Sequence, residues 1–347
     1  MANSARVPEQ IRALNTIRGL AALIVVVSHY SNISQLFDGV LGRGAGQLGV
    51  MLFFVLSGFL MAHLYGDERW SGSALRRFAV ARCARVVPLF YCVVLASYLA
   101  TVAGYPQALF RIGSEQMLAS HLLFLFGRDI LWTIPPEIQF YALFPVLWWL
   151  GQRFGRYFLL VVCLLLLALS VAGTLPVPRL TLLGLPAQFW ILRTLPLFLF
   201  GVLLGRLYGH WALDVRWRGS WGLIALPGLL LLYPEIQNAL LNQPLMAWES
   251  PLLPTLIALV FFLLVFVVPQ GNRVLENRIG DFYGRVSYSL YLTHMPLLKA
   301  LQPWVEAHPL LGLPLCLALT SALAWCSYRW LELPARSWIR AWGRLSR

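Results

Sequence analysis

Long apolar runs recur along the whole of this 347-residue chain, and they decide which solvent it folds in. A bilayer core needs about 20 apolar residues per helix. Ten stretches approach that length: 13–31, 46–64, 85–104, 138–151, 157–174, 193–209, 219–234, 252–268, 286–303 and 310–331. The run 117–126, which holds His121, is shorter still and reads as a re-entrant or interfacial segment. Only 12% of the residues are charged and mean hydropathy is +0.70, whereas a soluble domain carries about 25% charged residues. The expected fold is an all-α integral membrane protein with about ten transmembrane helices. It forms one polytopic unit over 1–347, with no fused soluble domain.

The net charge of +13 would suggest a nucleic-acid partner in a soluble protein. Its distribution argues for something else. With ten spans and the N-terminus inside, 21 of the 26 arginines fall on inner segments, among them Arg6, Arg76, Arg77 and Arg347. Five (Arg43, Arg111, Arg128, Arg179 and Arg193) fall outside, and Lys299 lies within a run. That asymmetry follows the positive-inside rule. The basic excess is thus a topology signal, both termini are expected in the cytoplasm, and no nucleic-acid partner is implied. The first run is longer than the apolar core of a signal peptide and no small-residue cleavage site follows it, so it is expected to stay as a span. The five cysteines show no CxxC pairing, so neither a disulfide framework nor a metal site is expected. No Walker loop or dinucleotide fingerprint is present, and no permanently bound cofactor is expected.

Polar residues inside apolar runs are costly and usually face a protein interior or a water-filled cavity. Arg18 and His29 stand eleven residues apart in RGLAALIVVVSHY. That spacing is three helical turns plus about 20°, so the two share a face, separated along the axis by roughly 16 Å. A second cluster, ALRRFAVARCARVVP, puts Arg82 and Arg85 on one helix face. Two readings fit it: a stop-transfer cluster, or a phosphate clamp of arginine forks. The entry of Arg18 from the same side favours the clamp.

In ILWTIPPEIQFYALFP, Pro135 and Pro136 take first-turn helix positions and Glu137 falls near the positive end of the helix dipole. Glu137 reads either as a helix-start acid or as a carboxylate that holds a sugar or orients a base, with Trp132, Phe140 and Tyr141 crowding it. In GRVSYSLYLTHMPLL, Ser287, Tyr291 and His294 share a face, and His294 fits a packed histidine or a substrate contact. Ser57 and Gly58 read as small packing residues. Arg193 fits an acceptor contact or an interfacial anchor, and His63, His210 and His308 carry no functional expectation.

In this order, these segments resemble the acyltransferase-3 family of integral membrane acyltransferases over nearly the whole chain. Arg18 through His29 looks like that family's arginine, ten residues, histidine motif, and GVMLFFVLSGFL at 49–60 is similar to its second-span signature. Arg82-Cys83-Ala84-Arg85 with Pro88 resembles its paired-arginine motif. Arg193 with FLFGVLLG, SYSLYLTHMP and YRWLELP resemble later segments. One departure is that many members have Trp-Ser-Leu before the acid, where this chain has Trp132, Thr133, Ile134 and two prolines.

The resemblance implies about ten spans, acyl-CoA as cytoplasmic donor, and transfer of an acetyl or other short acyl group to a hydroxyl, often on a cell-envelope glycan or lipid-linked saccharide. It also implies an essential histidine and donor-binding arginines. On this reading His29 is the general base, with Glu137 and Arg18 beside it in the catalytic set. Arg82, Arg85 and Arg18 bind the donor, and Trp132, Tyr141 and His294 contact the acceptor. Neutral imidazole, with an ordinary pKa of about 6.5, suits a base at pH 7. The setting would be a bacterial inner membrane, which the preference for arginine over lysine fits. A transporter or flippase for an envelope saccharide or lipid precursor is the competing reading, because it too has intramembrane Arg, His and Glu. A non-catalytic assembly partner is a third.

Overall fold

A computed structural model describes residues 11–172, 179–210, 214–242, 244–245 and 247–345. Arg6 and Arg347, two arginines of the charge asymmetry, lie outside the described residues. The chain is 78% helical, and the only strands among the described residues are the short antiparallel pair Arg179–Leu182 and Leu185–Gln188. The helices are α1 (Ala13–Ser34), α2 (Gly46–Tyr65), α3 (Gly72–Val102), α4 (Glu115–Leu122), α5 (Ile134–Phe154), α6 (Phe158–Ala172) and α7 (Ile191–His210). After these come α8 (Ala225–Leu231), α9 (Pro234–Leu241), α10 (Leu252–Phe262), α11 (Arg278–Ala300), α12 (Gln302–Ala307), α13 (Pro309–Ser327) and α14 (Leu333–Leu345).

Each of the ten apolar runs overlaps helix, but among the described residues length and composition qualify six segments as able to cross a membrane. These are α1, α2, α3, Asp129–Phe154, Ile191–Tyr208 and Pro309–Trp342. The seventh run is broken: Ser220–Leu231 and Pro234–Leu241 meet at an angle of 83° and would supply a seventh span only as a pair. Pro234 explains the break, since its ring disfavours helical backbone at Tyr233, which is extended. The eighth run is a short helix ending in a π-type turn, Leu263–Val267. The run 117–126 yields only the short α4 and a turn, too short to cross. The protein is a multi-pass membrane protein.

The bundle is built around α2, which is apolar on every face and buried along most of its length, as a central helix must be. It approaches α7 closely because two glycines face each other across the contact. A Cβ at Gly58 would collide with the Phe198 carbonyl, and one at Gly201 with the Val55 carbonyl. Close backbone approach through small residues is how helices gain dispersion contacts where lipid is as apolar as leucine. Outward faces carry exposed Leu95, Leu99 and Val102 on α3, and Leu315, Leu319 and Leu323 on α13. These are surfaces suited to hydrocarbon. The N-terminus of α1 is tied to α11, where Asp281 accepts from Arg12 at 2.7 Å and from Asn15 at 3.0 Å.

Candidate active site

Helix periodicity on α3 aims Arg82 and Arg85 into a cavity of about 640 Å³, which Ser57, Glu137, Tyr141 and Tyr288 also line. Glu137, in the first turn of α5, accepts hydrogen bonds from Tyr141 Oη at 2.5 Å and Ser57 Oγ at 3.2 Å. Arg82 lies 5.9 Å from the Tyr65 ring centroid. Arg18 on α1 is within electrostatic range of Arg82, Arg85, Glu137 and also Arg336. The Nε atoms of Arg18 and Arg82 are buried with no hydrogen-bond partner. Buried donors in low dielectric are normally satisfied, so these two N–H groups are open to acceptor atoms from water or a ligand. Arginine forks suit phosphate oxygens.

His29 faces a second cavity, of about 700 Å³, with Gln47, Asp129, Trp132, Met295 and Lys299. Val50 and Tyr291 line both cavities and so form the wall between them. The Tyr291 hydroxyl is pinned, donating to the Ile130 carbonyl at 2.9 Å and accepting from Thr133 at 3.1 Å. His29 Nδ1 lies 2.9 Å from the Met295 sulfur. A thioether only accepts, so this contact is a hydrogen bond when Nδ1 carries the proton. That tautomer leaves Nε2 with the basic lone pair.

His294 packs against His29 with ring centroids 5.2 Å apart. Its Nδ1 donates to the carbonyls of Tyr291, at 2.7 Å, and Leu290, at 3.2 Å, and its Nε2 is buried without a partner. Trp132 belongs to an aromatic cluster, 4.8 Å from Trp190 and 5.2 Å from Trp248 between ring centroids. Gln47, a cavity residue, accepts from Trp248 Nε1 at 2.9 Å. Lys299 and Asp129 approach to 3.6 Å, and Lys299 Nζ donates to the Leu109 carbonyl at 3.4 Å.

The sequence-derived residues therefore divide between two chambers. Arg82, Arg85, Glu137 and Tyr141 line one cavity, and Arg18 couples to it electrostatically. His29 and Trp132 line the other, and His294 lies in neither wall. Glu137 bonds Ser57 and Tyr141 rather than His29. Ser57, read from the sequence as a small packing residue, is a donor to that carboxylate. His121 is a structural residue, held by Met117 O at 2.7 Å and by the Arg128 amide at 3.0 Å. Arg193 lies 4.0 Å from Glu249. The five cysteines are free, and no group of metal-ligating side chains occurs among the described residues.

Sequence reasoning passed over Gln47, Asp129 and Lys299 in the His29 cavity. One signal was visible, since Lys299 is the only lysine in the chain and sits in an apolar run. It also gave no role to Glu332, within the family-like segment YRWLELP, or to Arg336 just after it.

Comparison with known proteins shows the family to which the chain belongs. Residues 11–329 match the acyltransferase-domain model of the acyltransferase-3 family, and the chain belongs to that family. It is 23% identical to the O-acetyltransferase OatA of Staphylococcus aureus over 95% of this chain and 58% of that protein. It is 41% identical to protein 2 of the picA locus of Rhizobium radiobacter over 30% of this chain and 51% of that protein. It is 26% identical to the peptidoglycan O-acetyltransferase OatA of Listeria monocytogenes, over 38% of this chain and 23% of that one. The chain spans about half the length, or less, of these curated relatives.

Proposed function

We propose that this protein is a membrane O-acyltransferase of the bacterial plasma membrane, moving an acetyl or other short acyl group from acyl-CoA to a hydroxyl of a cell-envelope glycan or lipid-linked saccharide. The observation that carries this reading is the pair of chemically distinct cavities sharing the Val50–Tyr291 wall. The arginine cavity suits a polyphosphorylated donor entering from the cytoplasm. The His29 cavity, with its aromatic cluster and its Asp129–Lys299 pair, suits a polyhydroxylated acceptor. The name of the S. aureus relative supports O-acetylation as the chemistry.

In this mechanism the donor's phosphates dock on Arg82, Arg85 and Arg18, and its arm passes the Tyr291 wall so that the thioester carbon meets the acceptor beside His29. His29 Nε2 takes the acceptor's hydroxyl proton as the oxygen attacks that carbon. The carbon–sulfur bond breaks, and CoA leaves as thiolate and takes up a proton. Transfer is direct, from thioester to hydroxyl. Glu137, fixed by Ser57 and Tyr141, offsets part of the arginine charge.

The test is CoA release from acetyl-CoA by purified protein in lipid nanodiscs, with wild type and His29→Ala compared. Release that depends on His29 is expected, and equal release from both proteins overturns the reading. Movement of a labelled saccharide across vesicles without CoA release would establish the transporter reading instead. The bent α8–α9 pair is the broken-helix feature such a transporter uses at its substrate site, but it lines neither cavity.

A further inference from the structure

The arginine cavity is over-supplied with positive charge, and one source of it lies beyond the stretch matched to the family. Helix α14, which carries Arg336, packs against α3, which carries Arg82 and Arg85, and the charges of Arg85 and Arg336 both act on Arg18. The carboxylates coupled to the group are Glu137 and Glu332. Four positive charges against two negative leave two unbalanced. An uncompensated buried charge is among the costliest features a fold can hold. Arg336 is also seven residues past the end of the matched region, which stops at residue 329.

The local structure fixes Arg336 with some precision. A π-type turn, Tyr328–Glu332, joins α13 to α14, and such wide turns recur at functional sites. It carries Glu332 into the interior, where the side chain is 1% exposed. There the carboxylate accepts from Ser289 Oγ and, at 2.5 Å, from Arg336 Nη2. The Arg336 guanidinium carbon lies 5.8 Å from the Tyr328 ring centroid. The guanidinium is thus held by a carboxylate and a ring, yet its Nε is buried and has no partner. Arg18 and Arg82 each show the same unpartnered Nε. Three such donors around one site call for acceptor oxygens.

We propose that Arg336, positioned by Glu332, is a fourth arginine of the donor subsite and that with Arg18 and Arg85 it takes one phosphate group of the phosphorylated acyl donor. This rests on the donor reading given above. An anionic phospholipid headgroup offers the same chemistry, so the test separates the two sources. Glu332 supplies the counter-charge that keeps Arg336 in place while no phosphate is bound.

Kinetics in nanodiscs of neutral lipid test this with two donors, acetyl-CoA and acetyl-pantetheine, the second lacking every phosphate. Removing Arg336 alone leaves Glu332 buried and unpaired. The double variant Glu332→Gln/Arg336→Met is therefore measured beside Arg336→Met. Both variants are expected to raise KM for acetyl-CoA about tenfold, the scale of one hydrogen bond to a charged group. KM for acetyl-pantetheine should stay at the wild-type value, and kcat should hold for both donors.

Equal rises in KM for the two donors would mean a structural role and overturn the proposal. So would an unchanged KM for acetyl-CoA, whether or not the variants lose bound anionic lipid by mass spectrometry. Arg85→Ala separates the two levels of the argument. If it raises KM for acetyl-CoA while the Arg336 variants do not, only this inference fails; if Arg85→Ala is also without effect, the donor reading itself fails.

Discussion

The two cavities that meet at Val50 and Tyr291 are built on opposite electrostatic plans. Around the arginine cavity, guanidinium groups outnumber carboxylates and several of their N–H groups are buried without acceptors. Around His29, the one carboxylate and the one ammonium, Asp129 and Lys299, face each other and cancel. On the proposed function an anion completes the first cavity. The second is charge-balanced and lined partly by tryptophan, which on the same reading suits an uncharged ligand with hydroxyls and apolar faces. A single apolar pocket cannot serve a polyanion and a saccharide equally well. Under that proposal the division lets each cavity be specific and leaves the chemistry at the shared wall.

The sharpest way to break this comparison is to remove the base from the neutral cavity. His29→Ala is expected to lower acyl transfer by about 10²–10⁴-fold, the usual contribution of a general base. Donor affinity should be unchanged, since no arginine is touched. Loss of donor affinity in this variant, read by calorimetry with CoA, would show that the two cavities are not separate functions. Next in size is Arg85→Ala, which removes the arginine to which Arg18, Arg336 and Glu332 all couple. Donor binding should weaken by about 10–100-fold, the worth of hydrogen bonds to a charged group, and acceptor KM should not move. If donor binding is unaffected, the cluster is only a topology signal.

Much of this arrangement was legible in the sequence, for physical reasons that can be named. The apolar runs follow from bilayer thickness, and each becomes helix. The Arg18–His29 spacing follows from 3.6 residues per turn, and Arg82 and Arg85, joined by a shared face, both line one cavity, with Arg18 within their electrostatic reach. What periodicity could not show is which cavity a side chain enters. Glu137 finds its partners at Tyr141, one turn away, and at Ser57, 80 residues back, and only the second contact depends on packing. The resemblance put Glu137 beside His29, whereas its hydrogen bonds go to Ser57 and Tyr141, in the cavity on the other side of the Tyr291 wall. Glu332 and Arg336 stayed hidden because a π-type turn has no sequence signature comparable to a heptad, and arginines after a last span read as cytoplasmic anchors. The broken seventh run was marked by Pro234, but hydropathy averages across a proline and so across the bend.

The wall itself gives a third test. Tyr291→Ala opens the partition and frees Thr133 and the Ile130 carbonyl. The donor arm crosses at this wall, so without the ring the thioester loses its close-fitting passage to water that enters along the arm, and CoA release in the absence of acceptor should rise several-fold over wild type. Tyr291→Phe keeps the ring in place and should show far less of this leak. Equal acceptor-independent release from wild type and Tyr291→Ala would mean that the partition does not keep water from the donor.

The smallest expected effect probes the balance of the His29 cavity. Lys299→Met removes the ammonium and keeps most of the side chain's length, leaving Asp129 as an unpaired carboxylate. Asp129 retains 45% of its side-chain exposure, so solvent screens the loss and the pair is worth only about 0.2–1 kcal/mol. Acceptor KM should therefore change by less than about fivefold, with donor KM unmoved. The direction carries the information. If the cavity is neutral by design, an added negative charge weakens binding of a carboxylated saccharide more than that of a neutral one, and Asp129→Asn/Lys299→Met restores the two to parity. Were Lys299→Met to disable transfer as thoroughly as His29→Ala, Lys299 would instead be a direct contact of the reacting groups, and the charge-balanced description of that cavity would have to be given up.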